Sequence, residues 1–579
     1  MFTAGRVASR LQRSRIISRP APISLRRQYS QCEPPPTTRL PPRPNVSGPQ
    51  QHPRHEVHEG SEAINVPFNP PGGGGGPGPG GSGPSFQFTG SPFLDAALTT
   101  VVGLGMVFVG GIAYLRWYKK NVLDKIELAF EPGYDPALEV ARRYHTGHPG
   151  FVDVDPEFIP WTEHLRRREQ DVVDRIVNGQ EVGHYYVLLG PKGSGKGTML
   201  FDAMSAIQAD GVAMCDAHPD LEVFRLRLGK ALNYEYNEDS QTGLFQRRDP
   251  REGGPALDIE RALNKLEKVA IRCAKRRKKP LVLILNNIHY FNNDDAGRQM
   301  VLQLQQRAEA WAASIMIMVF TTDDFWPFYA MRKVASRMHV LTISDLNTTE
   351  ALHACTRMRL NVKQKIEHSE HIKQAVSTVG GRLSYLNKVA TSDDVLGMAN
   401  SMLEIEKAWL MSQIGLIQDC DDDVMDEQKW SSCSWLLLQE FVKMRRDQET
   451  EQEEALRSGK ISKDQELPEL PMPSIPYWKC RQIMTRADFL EELDRANIIS
   501  IDVNHNVRPD SMLILHAARQ VVEEENFDDA LNNVRDRIDE IESLHRTREL
   551  TFKDIDKGDR IRLVVDKGGA DLWESSHSK

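Results

Sequence analysis

Short apolar runs alternate with amphipathic stretches between residues 161 and 344 of this 579-residue chain. Each run has the length of one buried β-strand, and each stretch between two runs is long enough for a helix. The runs are Tyr185–Leu189, Gly211–Asp216, Leu281–Leu285, Ser314–Phe320 and His339–Ile343. Strands that alternate with helices predict a three-layer α/β domain built on a parallel sheet.

A longer apolar run without charged residues covers Ala96–Leu115 and is followed by Arg116, Lys119 and Lys120. About 20 apolar residues suffice for a helix that crosses a bilayer, and basic and aromatic residues anchor such a helix at the membrane surface. We therefore predict a transmembrane helix over residues 93–117. A buried core helix is the alternative.

The C-terminal third has its own pattern of helices followed by a hairpin. An amphipathic helix is predicted over Trp430–Met444, and a charged, then Pro-rich insertion over residues 445–476. Helix resumes over Tyr477–Asn497, where Thr485 is the expected N-cap, and a hairpin spans Ile498–Val507. This order predicts a winged-helix-like domain over residues 430–515. A charged helix, Gln520–Arg548, and a disordered tail are expected after it.

The first 30 residues contain seven arginines, and no acidic residue occurs before Glu33. This composition is typical of a mitochondrial presequence, with a disordered basic tail as the alternative. Residues 31–92 are rich in Pro and Gly and predict a disordered linker. We therefore expect an inner-membrane protein. The basic flank after the span favours the matrix for the large domain, whereas a cleaved presequence before a stop-transfer helix favours the intermembrane space.

A glycine-rich loop joins the first apolar run to a helix and carries the strongest functional signal. Its residues are Gly190, Pro191, Lys192, Gly193, Ser194, Gly195, Lys196, Gly197 and Thr198. Glycines let backbone N–H groups curl around phosphate oxygens, and the lysine ammonium reaches the β- and γ-phosphates. We therefore predict an ATP site, with Thr198 as the Mg²⁺ ligand one residue later than usual.

The third apolar run ends in Asn286 and Asn287, where a phosphate-loop ATPase carries acids for Mg²⁺ and for the attacking water. Neutral amides cannot act as a general base, so we expect weak or absent hydrolysis. An acid from elsewhere, such as Asp294 or Asp295, is the alternative. Thr321 or Thr322, at the end of the fourth run, is the candidate sensor of the γ-phosphate.

Charge and cysteine content narrow the class of partner. The formal net charge is −8, which is not the basic balance of a nucleic-acid-binding protein. The helix before the predicted hairpin carries more acids than arginines, so protein contact or self-association is favoured over DNA binding. No CxxC pair occurs among the seven cysteines, and a zinc motif is not expected.

The order of phosphate loop, apolar strand, sensor strand and trailing helices resembles AAA+ ATPases of the initiator and archaeal types. Arg168-Glu169 is similar to their RE motif before the first strand. Gly380–Leu386 resembles the turn and helix of their helical lid, which implies that Arg382 contacts the γ-phosphate. With the presequence, the single span and the winged helix, the chain is similar to a fungal group of mitochondrial AAA-type proteins.

The resemblance divides the chain into segments. They are the presequence (1–30), linker (31–92), span (93–117), connector (118–160), AAA+ core (161–344), helical lid (345–415), acidic connector (416–429), winged-helix-like domain (430–515), and charged helix with tail (516–579).

The expected function is that of a membrane-anchored ATP-binding protein whose nucleotide state controls assembly or partner contacts. An active ATPase that remodels membrane proteins and a membrane-tethered nucleoid factor are the alternatives. A nucleoside monophosphate kinase, suggested by the GKGT ending, lacks the expected arginine-rich lid.

Overall fold

The computed structural model describes residues 92–135, 138, 166–236, 254–363, 368–458, 469–548, 560–566 and 569–575. The predicted presequence and nearly all of the predicted linker lie outside these residues, as does most of the predicted connector between the span and the core.

Helix α1 covers Pro92–Leu128 and is longer than the apolar run alone predicts. It contains the one candidate membrane span among the described residues, and the apolar part of that span is exposed. Further along the same helix, Val122 and Ile126 are buried in the core. Arg272 also binds Asp124 at 2.5 Å. One uninterrupted helix therefore runs from the candidate span into the folded core.

Five parallel strands form the central sheet in the order β2-β3-β4-β1-β5. They are β1 (Tyr185–Leu189), β2 (Val212–Asp216), β3 (Leu281–Asn286), β4 (Met316–Thr322) and β5 (Met338–Thr342). β1, β3 and β4 are buried along their whole length, which is why they are continuous apolar runs in the sequence. All five predicted strands are confirmed, each within two residues of its predicted bounds.

Helices cover both faces of this sheet, as the alternation predicts. They are α2 (Gln170–Val177), α3 (Lys196–Ala206), α4 (Leu221–Ala231), α5 (Gly254–Arg277), α6 (Asp295–Trp311) and α7 (Phe325–Arg332). Tyr185 and Val187 belong to the apolar cluster with α1, α4, α5 and α6. Tyr186 and Leu188 belong to the cluster with α2 and α3, so successive residues of β1 serve opposite faces.

Four further helices follow the sheet and share one apolar cluster. They are α8 (Thr348–Lys363), α9 (Ser369–Val379), α10 (Leu383–Thr391) and α11 (Val395–Gln413). They occupy the segment in which the resemblance implies a helical lid. The turn before α10 lies close to the connection that follows β5, because the Leu346 amide donates to the Gly381 carbonyl at 3.0 Å.

The C-terminal domain places a small antiparallel sheet, in the order β6-β8-β7, among helices. Its elements are α12 (Met425–Arg457), β6 (Ile475–Pro476), α13 (Tyr477–Met484), α14 (Ala487–Arg495), β7 (Ile499–Ile501), β8 (Asn506–Pro509), α15 (Met512–Val522) and α16 (Phe527–Arg548). Trp435 and Phe441 of α12 anchor its core. The predicted hairpin is confirmed as β7 and β8.

Three predictions about this domain are wrong at their boundaries. α12 continues to Arg457, well into the predicted insertion, because pairs such as Arg445–Glu449 and Arg457–Glu453 lie one turn apart on its polar extension. Thr485 ends α13 with a positive φ of 61°, and Arg486 is the N-cap of α14. The predicted helix Gln520–Arg548 is interrupted between α15 and α16.

The C-terminal tail contains a β-hairpin. β9 (Arg560–Asp566) and β10 (Gly569–Ser575) form an antiparallel hairpin where disorder was expected. The missed signal is a segment with Ile and Val over residues 560–566 and a segment with Leu and Trp over residues 569–575, separated in the sequence by Lys567 and Gly568.

Candidate nucleotide-binding site

The glycine-rich loop connects β1 to α3 at the carboxyl edge of the sheet. Gly193 and Gly195 have φ values of 81° and 99°, a region that residues with a Cβ adopt at a cost. Gly195 is also the N-cap of α3, where no side chain caps the helix. The amide groups of the first helical turn are therefore left available for an anion.

Gly190 is held against the backbone that follows β5. A Cβ on Gly190 would collide with the Ile343 carbonyl, whereas a Cβ on Gly197 would meet only the Phe201 ring at 3.9 Å. Gly190 and Gly197 thus have different roles. Gly190 is required because the Ile343 carbonyl lies close to its Cα, whereas Gly197 is a residue of the first turn of α3.

We expect Gly190→Ala to lower the free energy of unfolding by about 1–3 kcal/mol, because the backbone must move to admit the methyl group. Gly197→Ala is the matched control and should be neutral or stabilising by up to about 1 kcal/mol, since alanine favours the helix. Urea unfolding of the two variants measures the difference. Equal destabilisation by both would contradict the close packing at Gly190.

The Lys196 ammonium is buried beneath the loop. Its Nζ donates to the carbonyl oxygens of Gly190 at 2.6 Å and Pro191 at 3.0 Å, and it forms an ion pair with Asp323 Oδ1 at 2.7 Å. Burial lowers the pKa of Lys196, and Asp323 opposes that effect. The ammonium group thus lies beneath the loop where a bound anion would be enclosed, and its counter-ion in this structure is the carboxylate of Asp323.

Asn286 and Asn287 lie at the end of β3, as predicted, and both are engaged in hydrogen bonds. Asn286 Nδ2 donates to Asp216 Oδ1 at 2.8 Å, and Asn286 Oδ1 accepts from Thr321 Oγ1 at 2.6 Å. The amide of Asn287 donates to Thr321 Oγ1 at 2.7 Å. A polar chain therefore links the carboxyl ends of β2, β3 and β4.

The two candidate sensor threonines differ in their surroundings. Thr321 belongs to the polar chain at the strand ends, whereas the Thr322 hydroxyl donates to the Asp324 carbonyl at 2.8 Å. Thr321 is thus the candidate that connects to the Asn286–Asn287 position. Asp294, one of the two alternative acids, accepts the Gly297 amide at 2.7 Å as the N-cap of α6, and Asp295 is exposed in the first turn of that helix.

Asp323 is the acidic neighbour of the loop lysine that sequence reasoning missed. It follows β4 directly and lies beside His289, whose Nδ1 accepts the Asp323 amide at 3.1 Å. Both side chains line a cavity of about 270 Å³ together with Lys192, Asp324 and Arg495. Asp323-Asp324 directly after an apolar strand was the available signal, but the sequence does not show that this strand end lies next to Lys196.

Arg382 lies beside the loop and is buried rather than solvated, with its side chain only 2% exposed. Its Cδ would be 3.6 Å from a Cβ on Gly193. Its guanidinium binds Asp345 at 3.1 Å and also binds the Asp510 carboxylate and carbonyl. Burial alone would lower the pKa of Arg382, but the two carboxylates together raise it above its usual value.

Arg167 is a second residue that the sequence analysis missed. Its Nη1 donates to the Ser194 carbonyl at 2.7 Å, and its Nη2 donates to the Ser344 carbonyl. Arg168, the arginine of the predicted RE motif, is 87% exposed. The residue that braces the loop from the amino-terminal side is therefore Arg167, not Arg168.

The loop residues fit a nucleoside triphosphate. Two glycines with positive φ, an uncapped helix start and a buried ammonium provide backbone donors and positive charge around one point. Thr198 lies in the first turn of α3 and is half-buried, so its hydroxyl is the available group for a Mg²⁺ ion on the phosphates. Among the described residues, no group of three or more His, Cys, Asp and Glu could hold a metal ion by itself.

Residues 411–542 match a family model described as the C-terminal winged helix domain of a fungal AAA protein. The resemblance to a fungal AAA-type protein is confirmed for this part of the chain. The match extends beyond the predicted end of the domain at residue 515 and includes most of α16. Trp435 packs edge-on against Phe527 at 5.1 Å, which is why α16 belongs to the same domain.

The fold is also similar to solved archaeal structures. A Walker-type ATPase of Pyrococcus abyssi is 14% identical, with a TM-score of 0.38, over 63% of this chain and 99% of that one. Cdc6p of Pyrobaculum aerophilum is 13% identical, with a TM-score of 0.29, over 68% and 97%. The ORC1 protein of Aeropyrum pernix, solved in complex with DNA, is 13% identical, with a TM-score of 0.29, over 66% and 96%. At these TM-scores the similarity assigns neither a ligand nor a function to this chain. None of the curated proteins matches the chain.

Proposed function

We propose that this chain, whose residues 411–542 match the winged helix domain of a fungal AAA protein, is a membrane-anchored ATP-binding protein of the mitochondrial inner membrane. Its nucleotide state would control assembly or contacts with a protein partner, and its hydrolysis would be slow. The arginine-rich first 30 residues and the exposed apolar part of α1 support the location and the anchor.

The observation that carries this proposal is the position of Arg382 between the loop and the C-terminal domain. Asp510 lies two residues before the start of α15, so the buried Arg382–Asp510 pair joins the lid to that domain at the edge of the phosphate loop. A γ-phosphate beside Gly193 would compete with Asp510 and Asp345 for the same guanidinium. Binding would thereby change the free energy of the contact between the two domains, which is the condition for coupling.

Slow turnover is supported by the composition of the strand ends. Asn286 and Asn287 carry no charge and are engaged with Asp216 and Thr321. A site with these amides can bind phosphates through the loop and the lysine, but it does not place a base at the usual position.

The surroundings of α14, the helix before the hairpin of the winged helix, disfavour DNA binding and so favour protein contact. Glu491 accepts from Asn293 at 3.1 Å, and Asp494 accepts the Phe325 amide at 2.7 Å. This face of α14 is thus packed against the nucleotide-binding domain, and acidic residues outnumber arginines along the helix. Binding of the full chain to duplex DNA at low salt, lost as salt rises, would instead favour the nucleoid-factor alternative.

The first test is binding of a non-hydrolysable ATP analogue with Mg²⁺ to the full chain in detergent micelles. We expect Lys196→Ala to weaken binding by about 10- to 10²-fold, because it removes a charge-assisted contact. Lys373→Ala, which removes an exposed lysine of α9, is the matched control and should bind as the wild type does. Absence of binding by the wild type would overturn the proposal.

The second measurement separates coupling from binding. Hydrogen exchange of Met512–Val522 should become faster when the analogue is bound, because the Arg382–Asp510 pair is weakened. Binding without any change of exchange in α15 would show that the nucleotide does not act through this pair. Fast hydrolysis by the wild type would instead favour the remodelling ATPase.

A further inference from the structure

We propose that Asp323 is the general base of a slow ATPase at this site. The inference rests on the proposed ATP binding and deepens it, because it names the group through which the remaining turnover passes. Asn286 and Asn287 occupy the position of the usual catalytic carboxylate. Asp323, which follows the neighbouring strand β4, would supply a carboxylate instead.

Asp323 has the right location for this role. It is the first residue after β4, and its Oδ1 lies 2.7 Å from Lys196 Nζ, with both side chains largely buried. Because the loop lysine binds the β- and γ-phosphates of a bound nucleotide, the group next to it lies beside the γ-phosphate. When the ammonium turns to the phosphates, the Asp323 carboxylate loses its counter-ion and becomes available to a proton.

His289 holds the backbone at Asp323 through a hydrogen bond. Its Nδ1 accepts the amide of Asp323, so the neutral ring carries its proton on Nε2, and Nε2 lies 3.7 Å from Asp323 Oδ2. Burial lowers the pKa of His289, which keeps the ring neutral at physiological pH. The imidazole therefore holds the Asp323 amide and lies near its carboxylate, without adding a positive charge that would compete for the phosphates.

Water can reach the carboxylate. The cavity of about 270 Å³ is lined by Lys192 at the tip of the loop and by His289 and Asp323 at the strand ends. A water molecule occupies roughly 30 Å³ in the liquid, so the cavity has room for several. An attacking water could thus lie between Asp323 and a γ-phosphate held by the loop.

The other nearby acids have different roles. Asp216 accepts the side-chain amide of Asn286, and Asp294 caps α6. Asp324 is buried at the start of α7, where burial and then Asp323 raise its pKa to about 7. Asp323 is the carboxylate that combines contact with Lys196 and contact with the cavity.

In the proposed step, a water oxygen forms a bond to the γ-phosphorus while the bond from that phosphorus to the β,γ-bridging oxygen breaks. The electron pair of the broken bond stays on the β-phosphate of ADP. The proton of the water passes to the Asp323 carboxylate, which later releases it to solvent or to the inorganic phosphate. The step consumes one ATP and one water and yields ADP and phosphate.

The test compares Asp323→Asn with the wild type in full-length protein, with phosphate release and analogue affinity measured in parallel. We expect kcat to fall by about 10²-fold, while the Kd of the analogue stays the same or decreases because Lys196 loses its competitor. Asp323→Glu should recover part of the lost turnover. Asp529→Asn, the same change at an exposed position of α16, is the matched control.

The possible results distinguish the roles that Asp323 could have. If Asp323 only neutralises Lys196, Asp323→Asn should bind the analogue more tightly and turn over at least as fast as the wild type, which would overturn the inference alone. A wild type that binds the analogue without measurable turnover would also overturn it. Loss of turnover in Asp295→Asn but not in Asp323→Asn would assign the base to α6. A wild type that fails to bind the analogue would instead overturn the proposed function.

Discussion

Replacement of Arg382 by alanine is expected to lower the free energy of unfolding by about 3–5 kcal/mol, a large part of the stability of most domains. The side chain of Arg382 is 2% exposed, and that of its partner Asp510 is 6% exposed. The variant would leave the Asp510 carboxylate buried without its partner and would also release Asp345. Chemical unfolding of the full chain, followed by tryptophan fluorescence, measures the loss.

Arg486→Ala is the matched control, because Arg486 also pairs with an aspartate, Asp488, but on an exposed surface. Arg486→Ala should leave the midpoint of unfolding almost unchanged, because an exposed ion pair contributes little to stability. In a double-mutant cycle, Arg382→Ala combined with Asp510→Asn should be less destabilising than the sum of the two single changes, since the orphaned charge is gone. Additive effects would mean that the two side chains are not coupled.

Replacement of Asp324 by asparagine is expected to stabilise the protein at pH 8 and to have almost no effect near pH 4. Burial, followed by the neighbouring Asp323, raises the pKa of Asp324 from 3.8 to about 7. The folded state therefore holds a proton that the unfolded chain releases, and this contribution to stability is lost as pH rises from about 4 to about 7. The raised pKa corresponds to roughly 4 kcal/mol at full ionisation, which asparagine would restore.

Thermal unfolding of wild type and variant between pH 4 and pH 8 tests this dependence. Asp295→Asn, at an exposed position of α6, is the control. The difference in stability between pH 4 and pH 8 should be the same in this variant as in the wild type. The pKa of the neighbouring Asp494 is also well above the usual range, because the carboxyl group is buried and lies near Asp324. A stabilisation by Asp324→Asn that is equal at all pH values would show that its origin is not the charge.

The sheet and the loop could be predicted from the sequence because their signals are local. A buried strand is a continuous apolar run, and the spacing of Gly190, Gly195 and Lys196 needs no knowledge of distant residues. The proximity of Asp323 to Lys196 depends on β4 lying next to β1, and no local pattern encodes that order. For the same reason the sequence directed attention to Asp294 and Asp295, which lie nearer to Asn287 along the chain.

Long-range contacts also explain the errors at the C-terminal side. Arg382 and Asp510 are 128 positions apart in the sequence, so no local pattern indicates that they form a buried ion pair. Thr485 has the sequence context of an N-cap, but the chain uses it to end α13 in a positive-φ conformation. The charged stretch after Met444 predicts an insertion rather than a helix, because a helix that is polar over many residues has no apolar periodicity.

The continuity of α1 has a mechanical consequence. A helix of 37 residues is roughly 55 Å long. No flexible segment separates its apolar stretch from the part that Asp124 and Val122 attach to the core. With the apolar stretch inserted in a bilayer, the candidate nucleotide-binding site would stay at one height above the lipid and would move only in the plane of the membrane and by rotation about the membrane normal. The core would then meet partners only by diffusion in the plane of the membrane and only at that height. A flexible tether of the same number of residues would instead let the core move through a range of heights and orientations.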